Sequence, residues 1–321
     1  VAHHASHRPR QSITSLPDLA RDLTDPFPSE TEKGRAIYTW LSHNILYDVQ
    51  AFMSGNIKHA TPEATLKVGM AVCDGFAGLF QHLAKLAGIR EVFQVSGHGK
   101  GFGYQALPPG SQVPPFEINH AWNRARLDGE WRLIDPCWGA GSLNGTTWTQ
   151  QLNPYWFTAD ALEFGKQHYP VDPQEQLLPH ELMFNWEEYI SEPERPTIFG
   201  EFYQHFFDIQ SLQPEQNRIQ GAQCVPVRIS KRCCHMSAAE ADNYVYFLMT
   251  SRTPADRIPL TPDGDGTWRG EICVEADSDL FLYYVKTVDG RDANGLSVMG
   301  FELANGRKAM TFGGIARWTI V

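Results

Sequence analysis

Three side chains able to act together as a nucleophilic centre occur in order between Cys73 and Asp135: the thiol of Cys73, the imidazole of His120 and the carboxylate of Asp135. A thiol attacks carbonyl carbon as its thiolate, so a reactive cysteine needs a base beside it and surroundings that favour negative charge. A carboxylate behind the imidazole fixes its tautomer and stabilises the imidazolium formed when the thiol gives up its proton. Each residue alone has a plainer reading: a small buried hydrophobe at 73, a structural histidine at 120, a strand end ahead of Pro136. It is their setting that favours the chemistry.

Phe76, Leu79, Phe80, Leu83, Leu86 and Ala87 recur at helical spacing, and Gly88 follows where a C-terminal cap would sit, which predicts a helix from about Val72 to Ala87. Cys73 falls in its first turn. There the unpaired backbone N–H groups and the helix dipole favour a thiolate by about 0.3–1 kcal/mol at an exposed site. The same N–H groups could receive the oxyanion of a tetrahedral intermediate. His120 to Leu127 reads as a strand, Asp128-Gly129 as a two-residue hairpin turn, and Glu130 to Asp135 as the returning strand. With Leu127 opposite Glu130, Trp122 faces Asp135 and His120 faces Cys137, all on one side of the hairpin. His120 and Asp135 are then diagonal partners, about 7–8 Å apart and within side-chain reach. Asn123, an alternative orienter, points to the other face.

The segments Cys73-Asp74-Gly75-Phe76-Ala77, His120-Ala121-Trp122-Asn123 and Ile134-Asp135-Pro136-Cys137-Trp138-Gly139-Ala140-Gly141 resemble the three motifs of the transglutaminase-like cysteine enzymes, especially the kyphoscoliosis peptidase branch. Ser96 to Tyr104 and Phe164-Gly165-Lys166-Gln167-His168-Tyr169-Pro170 fit the same branch, so the resemblance covers about residues 30–185. It implies an α+β, papain-like core with a helix-borne cysteine against an antiparallel sheet. In that core Cys73 is the nucleophile, His120 the general base and then acid, and Asp135 the orienter. In such relatives the element at Asn44 to Asp48 lies near the nucleophile, which makes Tyr47 or Asn44 a candidate oxyanion donor. Cys137 departs from the pattern, which has threonine or another small residue there, and raises the question of redox behaviour beside His120.

Around this centre, 321 residues suggest two domains, with an N-terminal tail over 1–28, a catalytic core with a wrapping segment over 29–195, and a β-rich, immunoglobulin-like domain over 196–321. Ser29 to Glu32 is a capping box opening a helix with Ala36, Ile37, Trp40, Leu41 and Ile45 on one face. A short helix is expected from Thr61, and a strand from Arg90 to Ser96. Glycines at 97, 99, 101 and 103 then suggest a loop able to approach a substrate backbone, with Lys100 a candidate for a substrate carboxylate and Trp122 a further candidate contact. The C-terminal third shows strand-like runs at Val225 to Ile229, Tyr244 to Met249, Thr267 to Val274, Leu280 to Val288 and Ala316 to Val321. Asp263 to Gly266 and Asp289-Gly290 read as turns between them, so a β-sandwich is expected.

A net charge of −10 and the lack of a basic stripe argue against nucleic acid or an anionic membrane as partner, and no apolar run approaches ~18 residues. His3, His4 and His7 lie in a stretch read as a disordered, solvated tail without the apolar core of a secretion signal. Six cysteines without paired spacing suggest a reducing, cytoplasmic compartment. Cys233-Cys234-His235 lacks a second ligand pair for zinc and no EF-hand pattern occurs, so neither metal nor cofactor is expected. The expected activity is acyl transfer through a thioester on Cys73, with peptide or amide hydrolysis ahead of amide formation (cross-linking or a biosynthetic condensation). The expected substrate is a peptide, a protein or an amide-containing small molecule. A non-catalytic interaction module retaining the fold is the alternative of another class.

Overall fold

The structure, a computed structural model, describes residues 1–108, 110–193, 195–231, 244–263 and 266–321, and divides into two units, Val1–Glu192 and Pro193–Val321. The Cys233-Cys234-His235 run, and two residues of the turn read at 263–266, lie outside the described residues.

The first unit opens with helix α1 (Ala2–Ser6), in a stretch expected to be disordered. It is instead fastened down. Ala5 is fully buried, a His4 ring nitrogen meets the Asp22 carbonyl at 2.8 Å, and the Arg8 carbonyl accepts from the Trp40 indole at 2.7 Å. Arg10 donates to the carbonyls of Leu66 and Lys67, the free C-terminal carbonyls of a later helix, so residues 1–10 belong to the folded unit.

Helix α2 (Leu16–Thr24) is capped by Ser15, and α3 (Glu30–Asn44) starts at the expected capping box, with Ser29 and Glu32 bonded reciprocally. Ala36, Ile37, Trp40 and Leu41 of α3 are completely buried. Strand β1 (Leu46–Tyr47), α4 (Val49–Ser54), α5 (Pro62–Val68) and β2 (Met70–Ala71) follow; Gly69, at φ +76°, ends α5. Parallel pairing of Leu46 with Met70 and Tyr47 with Ala71 fixes the chain just before α6 (Cys73–Leu86), whose apolar face of Phe76, Leu79, Phe80 and Leu83 is buried.

Strands β3 (Val92–Gly99), β4 (His120–Leu127) and β5 (Glu130–Ile134) come next. A hairpin of β6 (Gly141–Asn144) and β7 (Thr147–Gln150) leads to α7 (Tyr155–Thr158), α8 (Ala161–Gly165), β8 (His168–Pro170) and α9 (Trp186–Ser191). The antiparallel sheet runs β5-β4-β3-β8, and α6 packs on β3 and β4. The hairpin register is the expected one, with Leu127 opposite Glu130. Asp128 and Gly129 have φ of +51° and +90°, the left-handed pair that a two-residue turn with matching twist requires. The Asp128 carboxylate also accepts from the backbone N–H groups of Glu30 and Thr31, while the Glu30 carboxylate accepts from the Asp128 N–H. One turn residue thus caps α3.

The second unit begins with β9 (Thr197–Ile198), α10 (Gly200–Gln204) and β10 (Arg218–Ile219). Its strands continue with β11 (Gln223–Ser230), β12 (Tyr246–Thr250), β13 (Ile258–Pro259), β14 (Thr261–Pro262), β15 (Thr267–Val274), β16 (Ser278–Val288), β17 (Arg291–Asp292) and β18 (Met310–Ile320). They form two sheets. One follows β10-β18-β16-β12-β13, with β9 and β17 on its edges, and the other β11-β15-β14. Tyr246 of the first sheet meets Trp268 of the second edge-on at 5.1 Å, the packing of a sandwich-like core. Cys224 on β11 and Cys273 on β15 face each other and form a disulfide, against the expectation that the cysteines stay reduced. Their pairing was invisible in the spacing because it depends on strand register. Among the described residues no helix is long and apolar enough to cross a membrane.

Two glycines of α6 separate helix propensity from packing. A Cβ on Gly75 would lie 2.7 Å from the Ala71 Cβ, whereas one on Gly78 meets only the Gln94 side chain, at 3.6 Å. Gly78→Ala is therefore expected to stabilise the unit by roughly 0.5–1 kcal/mol, and Gly75→Ala to destabilise it by roughly 1–3 kcal/mol, in urea unfolding.

Candidate active site

Cys73 is the first residue of α6, half-buried, and its helix has no side-chain cap; the Gly75 N–H turns back to the Val72 carbonyl at 3.0 Å, so the first-turn N–H groups open to a ligand are those of Cys73 and Asp74. The β1–β2 pairing sets Tyr47 beside this turn. Its phenol is held well above its ordinary value by burial and then by the charges of Cys137, Cys73 and Asp135, so it stays protonated. The ring stacks on Trp148 at 5.2 Å.

His120 opens β4, opposite Gly97 of β3, and is buried. Its Nε2 lies 2.6 Å from Asp135 Oδ2, which leaves Nδ1 as the ring atom for a second partner. The Cys73 thiol lies close enough to this ring to favour its charged form. The ring lies nearly parallel to Trp138, with centroids 4.8 Å apart. Burial opposes its charge, but the Asp135 carboxylate, its hydrogen bond and the contact with Cys73 push it up to about 10. His120 is accordingly an imidazolium at neutral pH.

Asp135 is completely buried, and all four of its acceptor directions are filled. Oδ1 accepts from the backbone N–H groups of Cys137 and Trp138, both at 2.9 Å. Oδ2 meets His120 and, at 2.9 Å, Nε2 of His168. Burial favours the neutral acid; the two imidazoles outweigh it and hold the carboxyl well below the ordinary range. The ladder between β4 and β5 stops at Asn123 opposite Ile134, because Pro136 offers no N–H and Asp135 turns the chain onto its own carboxylate. Cys137 therefore does not face His120 across a ladder. It is buried in this turn, and burial, then the Asp135 and Cys73 charges, push its thiol up, so it is an inert partner for redox chemistry.

His168, which sequence reasoning quoted within a motif but gave no role, is the second histidine of the cluster. Its side chain is inaccessible, and burial pulls it down to about 4, so it is neutral. Nothing in its spacing links it to Asp135, because β8 reaches the site only by pairing with β3. The ligand atoms of His120, Asp135 and His168 lie within 4.8 Å of one another, yet they bond directly at 2.6 and 2.9 Å. A zinc ion needs each ligand at about 2.0–2.2 Å from a common centre, so this is a hydrogen-bonded chain rather than a metal cage.

The remaining candidates are placed elsewhere. Asn44 accepts from the Arg10 N–H and donates to the Trp40 carbonyl, a structural clamp. Lys100 donates to the Tyr189 carbonyl and lies 4.4 Å over the Tyr189 ring, so it is not free for a substrate carboxylate. Trp122 is buried beneath His120 and reaches no substrate. Asn123 bonds the Ala77 carbonyl, away from the site as its parity required. The first half of the glycine run is strand and not loop, while Gly101 and Gly103 lie in the turn beyond it. Gly97 and Gly99 belong to β3: a Cβ on Gly97 would meet the Tyr169 carbonyl at 2.1 Å, and one on Gly99 the His120 ring at 3.1 Å. These glycines let strand β8 and the imidazole come close.

The two buried rings fix the sign of the pH dependence of stability. His168 releases its proton near 4 when folded and near 6.5 when unfolded, so stability rises with pH between those values; His98 and His205, also lowered to about 4 by burial, add to this limb. His120 keeps its proton to about 10 when folded, so stability falls as pH climbs from 6.5 towards 10. Urea midpoints are expected to peak between the two limbs, and His168→Gln to flatten the acid one.

Residues 17–136 match the model of the transglutaminase-like superfamily. The chain is 36% identical over 167 residues to the kyphoscoliosis peptidase of Mus musculus, covering 51% of this chain and 24% of that protein. It is 28% identical over 274 residues to the kyphoscoliosis peptidase of Homo sapiens, covering 84% and 39% respectively. Against the Lim and transglutaminase domain protein ltd-1 of Caenorhabditis elegans the identity is 28% over 236 residues, covering 70% and 32%. The chain thus spans well under half the length of these relatives.

Proposed function

We propose that this transglutaminase-like domain, of the kyphoscoliosis peptidase-like branch, is a cysteine acyl-transfer centre that hydrolyses a peptide or amide bond through Cys73, His120 and Asp135. The observation that supports it most is the 2.6 Å bond between His120 and the buried Asp135, on a ring that also meets the Cys73 sulfur at the open end of α6.

The steps follow from this placement. Cys73 attacks as the thiolate held beside the His120 imidazolium, its sulfur bonding to the carbonyl carbon and moving the C=O electron pair onto oxygen. The N–H groups of the first turn of α6 receive that oxyanion, and Tyr47, a protonated phenol beside the turn, is placed to add a hydrogen bond. As the C–N bond breaks, His120 gives its proton to the leaving amine, which leaves a thioester on Cys73. His120 then takes a proton from water, the hydroxide adds to the thioester, and the returning proton releases the thiol. An amine in place of water gives transamidation by the same path.

The reading is tested with iodoacetamide and with a fluorogenic peptide-amide panel. Cys73 is expected to be alkylated at neutral pH far faster than Cys137, and the reaction to slow sharply in His120→Ala. Asp135→Ala is expected to lower turnover by roughly 10²–10⁴-fold. Added primary amine is expected not to outcompete water for the thioester. Equal alkylation of the two thiols with no turnover on any substrate would instead assign the domain to partner binding.

A further inference from the structure

The acyl-transfer reading uses three side chains, yet a fourth is bonded to them. His168 opens β8 opposite Gly99, and its Nε2 meets the same Asp135 oxygen that His120 uses. Its ring is packed among Phe164, Trp138, Trp122 and Trp156, with centroids 4.0, 4.3, 5.0 and 5.0 Å away. Burying two ring nitrogens in such a box costs solvation that a phenyl ring of the same shape would not lose. The compensation is the Nε2–H bond to Asp135; Nδ1, which carries no proton in that tautomer, lies 3.3 Å from the Phe164 carbonyl. A residue needed only to fill space would not carry that cost.

We propose that His168 is a positioning residue for the Cys73 centre: its Nε2–H holds Asp135 Oδ2 in place and takes a share of that oxygen's charge, which sets how firmly His120 keeps its proton. The proposal rests on the acyl-transfer reading, in which His120 must first hold a proton and then release it to the leaving group. With His120 as its sole imidazole partner, the buried carboxylate would bind the imidazolium too strongly for easy release. A second N–H on the same oxygen weakens that hold. Oδ1 stays fixed by the two backbone N–H groups, so loss of His168 changes the charge seen by His120 more than the place of the carboxylate. The titratable groups facing the cluster are Cys73 on α6, Tyr47 on β1, His98 on β3, and Asp135 and Cys137 after β5, with Lys100 beyond β3 acting on His98.

The test reads His120 on the full chain without any substrate. Iodoacetate is an anion, so its reaction with Cys73 is favoured while His120 carries its proton and falls as that proton is lost; neutral iodoacetamide serves as the control for thiol reactivity. His168→Phe is expected to move the falling limb upward by about one pH unit, roughly tenfold in the ionisation constant. His168→Gln, which keeps an N–H donor, is expected to return the limb to the wild-type position. Asp135→Ala should move it downward. An unmoved or lowered limb in His168→Phe, with Asp135→Ala displaced as expected, would overturn the role of His168 and leave the acyl-transfer reading standing. No movement in either variant would remove both. If His168→Phe does not fold, proton NMR of the histidine-labelled wild type decides: an exchange-protected downfield N–H signal assigned to His168 Nε2 that shifts in Asp135→Asn supports the proposal, and the absence of such a signal from His168 overturns it.

Discussion

A carboxylate buried to zero exposure is the constraint from which much of the first unit follows. An anion removed from water is tolerable only when its lone pairs are met, and Asp135 collects its four donors from three separated places. The first residue of β4 supplies one, the first residue of β8 another, and the turn after β5 supplies two. Each demand fixes a piece of chain. β8 must come close enough for its imidazole to reach, so β3 carries glycine where a side chain would strike the Tyr169 carbonyl. The turn must fold onto the carboxylate, so Pro136 follows directly. The surrounding tryptophans exclude water, and in that medium the ion pair with His120 is stronger than it would be at a surface.

The two free thiols of the unit show how environment rather than residue type decides reactivity. Cys137 lies in the turn beside Asp135, buried and next to negative charge, and both effects keep its proton on sulfur. Cys73 lies at a helix mouth, half-open to solvent, against a ring that Asp135 holds charged. The parallel β1–β2 pair makes this possible by fixing the entry to α6, and the Arg10 side chain, bonded to the last carbonyls of α5, steadies the same entry from behind.

The parts of this arrangement that are local in the chain were legible in the sequence. The hairpin register followed from Asp128-Gly129, the helix start from the capping box at Ser29, and the Cys73 helix from its apolar spacing, because each depends on neighbours a few residues away. The strands of the second unit were legible for the same reason, bounded by turn residues. What was misread depends on distant partners. Lys100 and Asn44 looked available because Tyr189 and Arg10 are remote in sequence, and the glycines of β3 looked like a loop because the strand they accommodate lies some 70 residues on. The N-terminal residues looked solvated because the carbonyls that hold them belong to α5. His168 carried no local signal of its role at all.

Asp128 has a bearing on how this fold tolerates change. Its carboxylate holds the start of α3 while its backbone makes a left-handed turn, across a separation of 98 residues. Inserting a single residue in the hairpin would unseat the helix start and slip β5 against β4, turning the side chains of β5 to the opposite face of the sheet at once. Loop length at this point is thus locked by two independent geometric conditions, and natural length variation should be found at the other connections of the unit and not here.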